Sequence, residues 1–147
     1  MANTPEPIPR GEHAVAFIGG GNMARSLVGG LVAGGVAAGS IRVADPGEAT
    51  RAGLETDFGV ATFAGAMDAV AGADVWVMAV KPQVLRGVCE GLGDAARGCT
   101  PLVVSVAAGI TTAQIERWLG GTAAVVRAMP NTPISVGEGA VGLMRGS

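Results

Sequence analysis

Short β-branched runs alternate with helical stretches along nearly the whole chain. Strands are predicted at residues 13–18, 41–45, 60–62, 74–80, 102–106 and 123–129. Between them apolar residues recur at helical spacing, as at Met23, Leu27 and Leu31. Consecutive βαβ units show this alternation, which predicts a doubly wound, mostly parallel α/β sheet. Segment 74–80 is apolar after its first residue, so we expect a central strand that is buried on both faces.

One domain is predicted over residues 13–147. Of the 147 residues 49% are hydrophobic and only 15% are charged, which suits a sheet covered on both faces. Residues 1–12 carry three prolines and no apolar run, so we expect a flexible leader and not a secretion signal. A further edge strand, antiparallel to the rest, is expected at residues 138–144.

Charge and cysteine content exclude several classes of function. The formal net charge of -2 offers no basic field for nucleic acid or for an anionic membrane surface. No apolar run approaches the roughly 20 residues of a membrane-spanning helix. The two cysteines, Cys89 on a predicted helix and Cys99 in a predicted loop, match no metal or redox spacing. We therefore expect no metal site, reduced thiols and a cytoplasmic location.

The pattern Gly-x-Gly-x-x-Gly/Ala begins at Gly19, Gly91 and Gly137. In a chain with 25 glycines about one match is expected by accident, so the context must decide. Only the match at Gly19 follows a predicted strand and opens an amphipathic helix. There Gly19 would permit a tight turn, Gly21 would let a pyrophosphate approach the backbone, and Ala24 would keep the helix close to its strand. The helix N-terminus would hold the anion. The alternative is a turn of small residues with no ligand.

Asp45 ends the second predicted strand, at the spacing where an acidic side chain bonds the adenosine ribose of a dinucleotide. A carboxylate there repels a 2′-phosphate and favours NADH over NADPH. The sequence Asp-Pro-Gly is also ordinary turn chemistry, in which Asp45 would be a helix N-cap. Arg51 could reach a phosphate and Arg42 lies on the same strand, so the preference between the two cofactors stays open.

Four segments appear in a specific order: Phe17-Ile-Gly-Gly-Gly-Asn-Met-Ala24, Ala79-Val-Lys-Pro-Gln83, Ser105-Val-Ala-Ala-Gly109 and Arg127-Ala-Met-Pro-Asn-Thr-Pro133. With these segments the chain resembles the N-terminal domain of pyrroline-5-carboxylate reductase, which makes L-proline from a cyclic imine with NAD(P)H. The resemblance implies a Rossmann-type domain, a role in proline biosynthesis, NADP(H) or NAD(H) as cofactor, and 1-pyrroline-5-carboxylate as substrate.

The resemblance also implies which residues form the site. The pyrophosphate would be held by Ile18, Gly19, Gly20, Gly21, Asn22 and Met23. The nicotinamide half would be lined by Ala79, Val80, Lys81, Pro82, Ala107, Ala108 and Gly109. The segment containing Asn131 would approach the imine across the nicotinamide ring.

Lys81 and Asn131 are the candidate catalytic residues. Lys81 could act through its ammonium group, although we favour a role for its stem and backbone beside the cofactor. Asn131 could orient a ligand or only shape a turn between two prolines. His13 precedes the first strand and is not expected to take part in catalysis.

Two positions depart from the family pattern. Family members often carry a hydroxyl or amide residue in place of Asp45, and many have an asparagine near the adenine in place of Ala66. The family also has a helical dimerisation domain that the sequence up to Ser147 does not include. We therefore expect either a separately encoded dimerisation domain, or a binding module that takes up dinucleotide without turnover.

Overall fold

Strands and helices alternate throughout the computed structural model, which describes residues 14–107, 109–121 and 123–128. The strands are β1 (Val15–Ile18), β2 (Ile41–Ala44), β3 (Ala61–Phe63), β4 (Val75–Met78), β5 (Leu102–Ser105) and β6 (Ala124–Arg127). The helices are α1 (Asn22–Ala33), α2 (Glu48–Phe58), α3 (Ala66–Val70), α4 (Pro82–Gly91), α5 (Gly93–Cys99) and α6 (Thr112–Trp118), with a 3-10 turn at Ala38–Ser40.

The six strands form one sheet in the order β3-β2-β1-β4-β5-β6, and every neighbouring pair is parallel. This order confirms the predicted doubly wound α/β fold. β1 lies at the centre, paired with β2 on one side and with β4 on the other. The predicted leader at residues 1–12 and the predicted edge strand at residues 138–144 lie outside the described residues.

Strand β4 is buried along its whole length, as the apolar run predicts. Val75 and Val77 pack in the cluster that α1 and α2 cover, whereas Trp76 and Met78 pack under α3, α4 and α6 on the opposite face. Successive side chains of a strand point to opposite faces, so a strand between two helical layers must be apolar at every position. The buried indole N–H of Trp76 donates to the carbonyl oxygen of Ala73 at 3.3 Å.

Local signals in the sequence account for several helix boundaries. The sequence Thr111-Thr-Ala-Gln114 has the pattern of a capping box, and the box is present at α6, where the side chains of Thr111 and Gln114 each accept the other residue's backbone N–H. Pro82 occupies the first turn of α4, as its fixed φ and missing N–H favour. α2 ends at Gly59, whose φ of 75° is the left-handed conformation that glycine adopts without strain.

Helix α5 was not predicted, and Cys99 is its last residue, so the prediction of a loop at Cys99 is wrong. The helix has seven residues and two glycines, and of its side chains only that of Ala96 lies in the core. It therefore has no apolar stripe to recognise. On α4 the apolar residue Val84 is 47% exposed, whereas Leu85 and Cys89 fill the core positions one turn apart.

The two cysteines are expected to react very differently with a thiol reagent. Cys89 is buried and Cys99 is exposed. Burial, with a smaller contribution from the charge of Glu90, raises the pKa of the Cys89 thiol from 9.0 to about 12. At pH 8 we therefore expect one thiol to react rapidly in the folded chain and two after unfolding in urea. Rapid reaction of both thiols in the folded chain would contradict this.

The same pKa shift makes the folded state less stable in alkali. In the unfolded chain the Cys89 thiol ionises near its ordinary value, whereas in the folded chain it stays protonated up to about 12. Above the lower value the unfolded state has lost the proton and the folded state has not, so the free energy of unfolding falls as the pH rises. Urea midpoints at pH 8 and pH 10 would measure this contribution against a Cys89→Ala variant.

Candidate dinucleotide-binding site

The carboxyl ends of β1 and β4 form the centre of the candidate site. These strands are neighbours, but β1 leads into α1 on one face of the sheet and β4 leads into α4 on the other. The two connections therefore diverge, and the crevice between them is where open α/β sheets bind ligands. The candidate site residues that the sequence predicts, where the structure describes them, lie at or directly after the carboxyl ends of β1, β2, β4 and β5. They are therefore all at this edge of the sheet.

Gly19 makes the tight turn that follows β1. Its φ is 105°, and its N–H donates to the carbonyl oxygen of Ala44 at 2.8 Å. A Cβ atom at this position would lie 2.8 Å from the carbonyl oxygen of Ala79 and 3.1 Å from Cγ1 of Val80. Only glycine fits here, because a side chain would both strain the backbone and collide with the turn after β4.

Gly21 faces open space at the N-terminus of α1. It is the N-cap residue, its φ of -75° suits any residue, and a Cβ atom there would meet nothing within 4 Å. Among the described residues no side chain caps this helix. The N–H groups of the first turn therefore have no side-chain cap, and together with the positive end of the helix dipole they are suited to bind an anion. These residues fit a pyrophosphate. Asn22 beside them is exposed and Met23 is half-buried.

Asp45 ties the glycine loop to the turn after β2. Its Oδ2 accepts the N–H of Gly20 at 2.9 Å, and its Oδ1 accepts the N–H of Gly47 at 2.8 Å. Gly47 is the N-cap residue of α2 and that helix has no side-chain cap, which excludes the alternative that Asp45 is the helix N-cap. Two backbone donors hold the carboxylate in one orientation. Asp45 is the residue that the sequence spacing predicts to bond the adenosine ribose.

Of the two arginines considered for a phosphate, only Arg51 lies at the site. Its Nη1 donates to the carbonyl oxygen of Asp45 at 2.8 Å. Arg42 instead bonds the carbonyl oxygens of Ala69 and Ala71 at the end of α3, where a cation also complements the helix dipole. Arg42 therefore stabilises the packing of α3 on β2, and its guanidinium group is bonded there and not at the glycine loop.

Residues 79–82 continue from β4 against the glycine loop. The N–H of Ala79 donates to the carbonyl oxygen of Ile18 at 2.8 Å, and Val80 is half-buried. Lys81 is exposed and is the N-cap residue of α4; its carbonyl oxygen accepts the N–H of Val84 at 2.9 Å and that of Leu85 at 3.1 Å. The backbone of Lys81 is thus fixed, while its side chain lies at the surface.

The third predicted segment follows β5, one strand beyond β4. Ala107 is buried, whereas Gly109 is exposed with a φ of 79°. Ala108 and Asn131 lie outside the described residues. The part of the chain that the structure describes contains no group of three or more histidine, cysteine or carboxylate residues that could hold a metal ion.

Two side chains at this edge were not singled out from the sequence. Ser105, the last residue of β5, is buried and its Oγ accepts the N–H of Ala107 at 3.2 Å. The methyl group of Thr50 packs beside Gly20, 3.2 Å from where a Cβ atom of that glycine would be. Ser105 could have been recognised in the sequence because it is a polar residue at the end of an apolar strand. No sequence feature indicates Thr50, because its position depends on how α2 packs.

The parallel sheet, the uncapped N-terminus of α1 behind a glycine turn and the carboxylate after β2 define an NAD(P)-binding Rossmann-type domain. Residues 14–109 match the family described as "NADP oxidoreductase coenzyme F420-dependent". The chain belongs to this family, and it corresponds to the N-terminal NAD(P)-binding domain of pyrroline-5-carboxylate reductases.

Curated relatives support this assignment. The chain is 50% identical over 129 residues to pyrroline-5-carboxylate reductase of Pseudomonas aeruginosa, covering 88% of this chain and 47% of the relative. It is 39% identical to the enzyme of Escherichia coli, over 87% of this chain and 48% of that relative. The chain thus spans about half the length of the curated relatives it matches.

Solved structures agree in fold. A pyrroline-5-carboxylate reductase from Coxiella burnetii superposes with a TM-score of 0.80 at 43% identity, over 84% of this chain and 46% of that one. The Plasmodium falciparum pyrroline carboxylate reductase, solved with NADP bound, gives a TM-score of 0.72 at 20% identity, over 92% of this chain and 46% of that one. At that identity the second match shows the shared fold alone.

Proposed function

We propose that this chain binds NAD(P)H and forms the cofactor half of a pyrroline-5-carboxylate reductase, which reduces 1-pyrroline-5-carboxylate to L-proline. The observation that carries the proposal is the open space at Gly21, which lies against the uncapped N-terminus of α1 in a chain homologous to these reductases. A pyrophosphate there would meet backbone donors and would not have to displace a side chain.

The chain's own residues would bind, orient and shield the reactants. Bound NAD(P)H would supply a hydride from C4 of its nicotinamide ring. The turn at residues 79–82 and the turn after β5 would hold the nicotinamide end at the carboxyl edge of β4 and β5 and exclude water from it. Lys81 would contribute its backbone and stem, since its backbone is fixed at the start of α4 and its side chain lies at the surface. Asn131 would orient the imine.

The alternative function is a binding module that takes up dinucleotide without turning over substrate. The similarity covers about half of the length of each of these curated relatives. In the family the remaining half is helical, builds the dimer and supplies much of the substrate site.

Imine-dependent oxidation of NADH and NADPH by the purified chain tests the proposal, with direct binding of both cofactors measured in parallel. We expect binding of at least one cofactor at micromolar concentrations, and turnover if the chain is sufficient for the reaction. Binding without turnover would select the binding module. If neither cofactor binds to the folded chain, both functions are excluded.

We further propose that the chain prefers NADH to NADPH. The Asp45 carboxylate is fixed by the N–H groups of Gly20 and Gly47, so it cannot turn away from a 2′-phosphate. Arg51 lies beside it, but its guanidinium is bonded to the Asp45 carbonyl oxygen. The arginine weakens the repulsion without removing it, because two charges a few ångströms apart at a protein surface still interact by about 1–4 kcal/mol.

Asp45→Asn is expected to shift the ratio of the NADPH and NADH dissociation constants about tenfold towards NADPH, since it removes the charge that faces a 2′-phosphate. The loss of one acceptor for the backbone N–H groups weakens both cofactors alike and cancels in the ratio. Asp94→Asn on α5 carries the same charge change away from the site and should leave the ratio unaltered. An unchanged ratio for Asp45→Asn would exclude Asp45 as the determinant.

A further inference from the structure

We propose that Ser105 is a positioning residue that shapes the loop between β5 and α6 to receive the nicotinamide half of the dinucleotide. This inference rests on the proposed function. Ser105 is only 1% exposed, and it is one of two buried polar residues among those the structure describes, the other being Ser40. Burying a hydroxyl group is unfavourable unless it is hydrogen-bonded. The buried hydroxyl group of Ser105 at the end of an apolar strand is therefore expected to have a structural role.

The backbone of Ser105 is fixed on both sides. It is in register with Met78 of β4 and with Arg127 of β6, and its carbonyl oxygen accepts the N–H of Ala128 at 2.8 Å. Its Oγ then accepts the N–H of Ala107 at 3.2 Å. Ala107 is itself buried, so without Oγ this N–H would lose its partner at a place where water has little access. The hydroxyl group therefore sets the direction in which the chain leaves β5.

The far end of the same loop is fixed by the capping box of α6. The N–H of Thr111 donates to Oε1 of Gln114 at 2.9 Å, and the N–H of Gln114 donates to Oγ1 of Thr111 at 3.1 Å. Between the two anchors Gly109 is exposed with a positive φ, which turns the chain. A loop held at both ends loses less conformational entropy when a ligand binds to it.

The strand order indicates which half of the ligand this loop would meet. Asp45 follows β2 and the glycine loop follows β1, whereas Ser105 ends β5 on the other side of β4. A dinucleotide with its adenosine ribose at Asp45 and its pyrophosphate at Gly21 continues past β4 towards β5. The loop after Ser105 therefore lies on the side of the nicotinamide, three strands away from the adenosine ribose.

Comparing NADH with ADP-ribose, which lacks the nicotinamide ring, tests the inference. For Ser105→Ala we expect the dissociation constant of NADH to rise roughly tenfold, because the Ala107 N–H loses its acceptor and the loop moves. The dissociation constant of ADP-ribose should change less than about twofold, which also reports that the variant is folded. Ser105→Thr keeps Oγ and should restore most of the NADH affinity.

Ser40→Ala is the matched control. It also removes a buried hydroxyl group, but at the start of β2, on the opposite edge of the sheet. It should leave the ratio of the two dissociation constants unchanged. Equal weakening of NADH and ADP-ribose in Ser105→Ala, or no weakening of NADH, would overturn the inference. Failure of the proposed function looks different, since the wild-type chain would then bind neither ligand and the inference would fall with it.

Discussion

Gly21→Val is expected to weaken dinucleotide binding at least about 100-fold while the domain stays folded. The valine Cβ atom would point into open space, and the φ of Gly21 is allowed for every residue, so the folded chain accommodates the side chain. The same space is where a pyrophosphate must approach the N–H groups of α1. Titration with NADH, with the urea midpoint measured on the same preparation, separates the two effects.

Gly39→Val provides the control for Gly21→Val. Gly39 also has open space around a Cβ position and no positive φ, but it lies in the 3-10 turn before β2, away from the glycine loop. The control should bind NADH as the wild type does. We expect Gly21→Val to lower the free energy of unfolding by about 1 kcal/mol at most, since valine is a poorer N-cap than glycine. Unchanged NADH affinity in Gly21→Val would remove the glycine loop from the proposed site.

Gly19→Ala, unlike Gly21→Val, is expected to act mainly on stability and to lower the free energy of unfolding by about 3 kcal/mol. Alanine at a φ of 105° is strained, and its Cβ atom would lie 2.8 Å from the carbonyl oxygen of Ala79. The turn after β1 and the turn after β4 would have to separate. Equilibrium unfolding in urea measures the loss, and cofactor binding should fall with it because both turns line the crevice.

Gly35→Ala separates the two causes in Gly19→Ala. Gly35 has nearly the same φ, 104°, but a Cβ atom there meets nothing within 4 Å. Its substitution should cost only the backbone strain, about 1 kcal/mol. The difference between the two variants then measures the collision with Ala79. Equal destabilisation of both would mean that the close approach of β1 and β4 at Gly19 is not what requires glycine.

The fold was largely predictable because its signals are local and repeated. All six strands were found from β-branched runs, and the apolar segment at β4 correctly indicated a central position. Predicted strand 74–80 was longer than the observed Val75–Met78, since apolar residues continue into the turn that contacts Gly19. Helix α5 was missed because seven residues with one buried side chain carry no periodicity.

The candidate site was predictable only where a residue type is required by geometry. Gly19 could be chosen among three matching glycine patterns because a strand precedes it and a helix follows. The bonds of Asp45 to Gly20 and Gly47 could not be anticipated, since they depend on how two loops from different strands meet. The same is true of Ser105, whose role follows from its burial and from the direction of one N–H.

The pairing of β1 with β4 also bears on how the domain assembles. β1 with β2, and β4 with β5, join segments that are near in sequence, whereas Val15 pairs with Val75 across the whole first half of the domain. Such non-local pairing is slow to form because a long loop must close first. The crevice lies along the junction of β1 with β4, so it exists only after the half of the sheet with β1 to β3 has docked on the half with β4 to β6. A ligand that spans the crevice would act as a cross-link between these two halves.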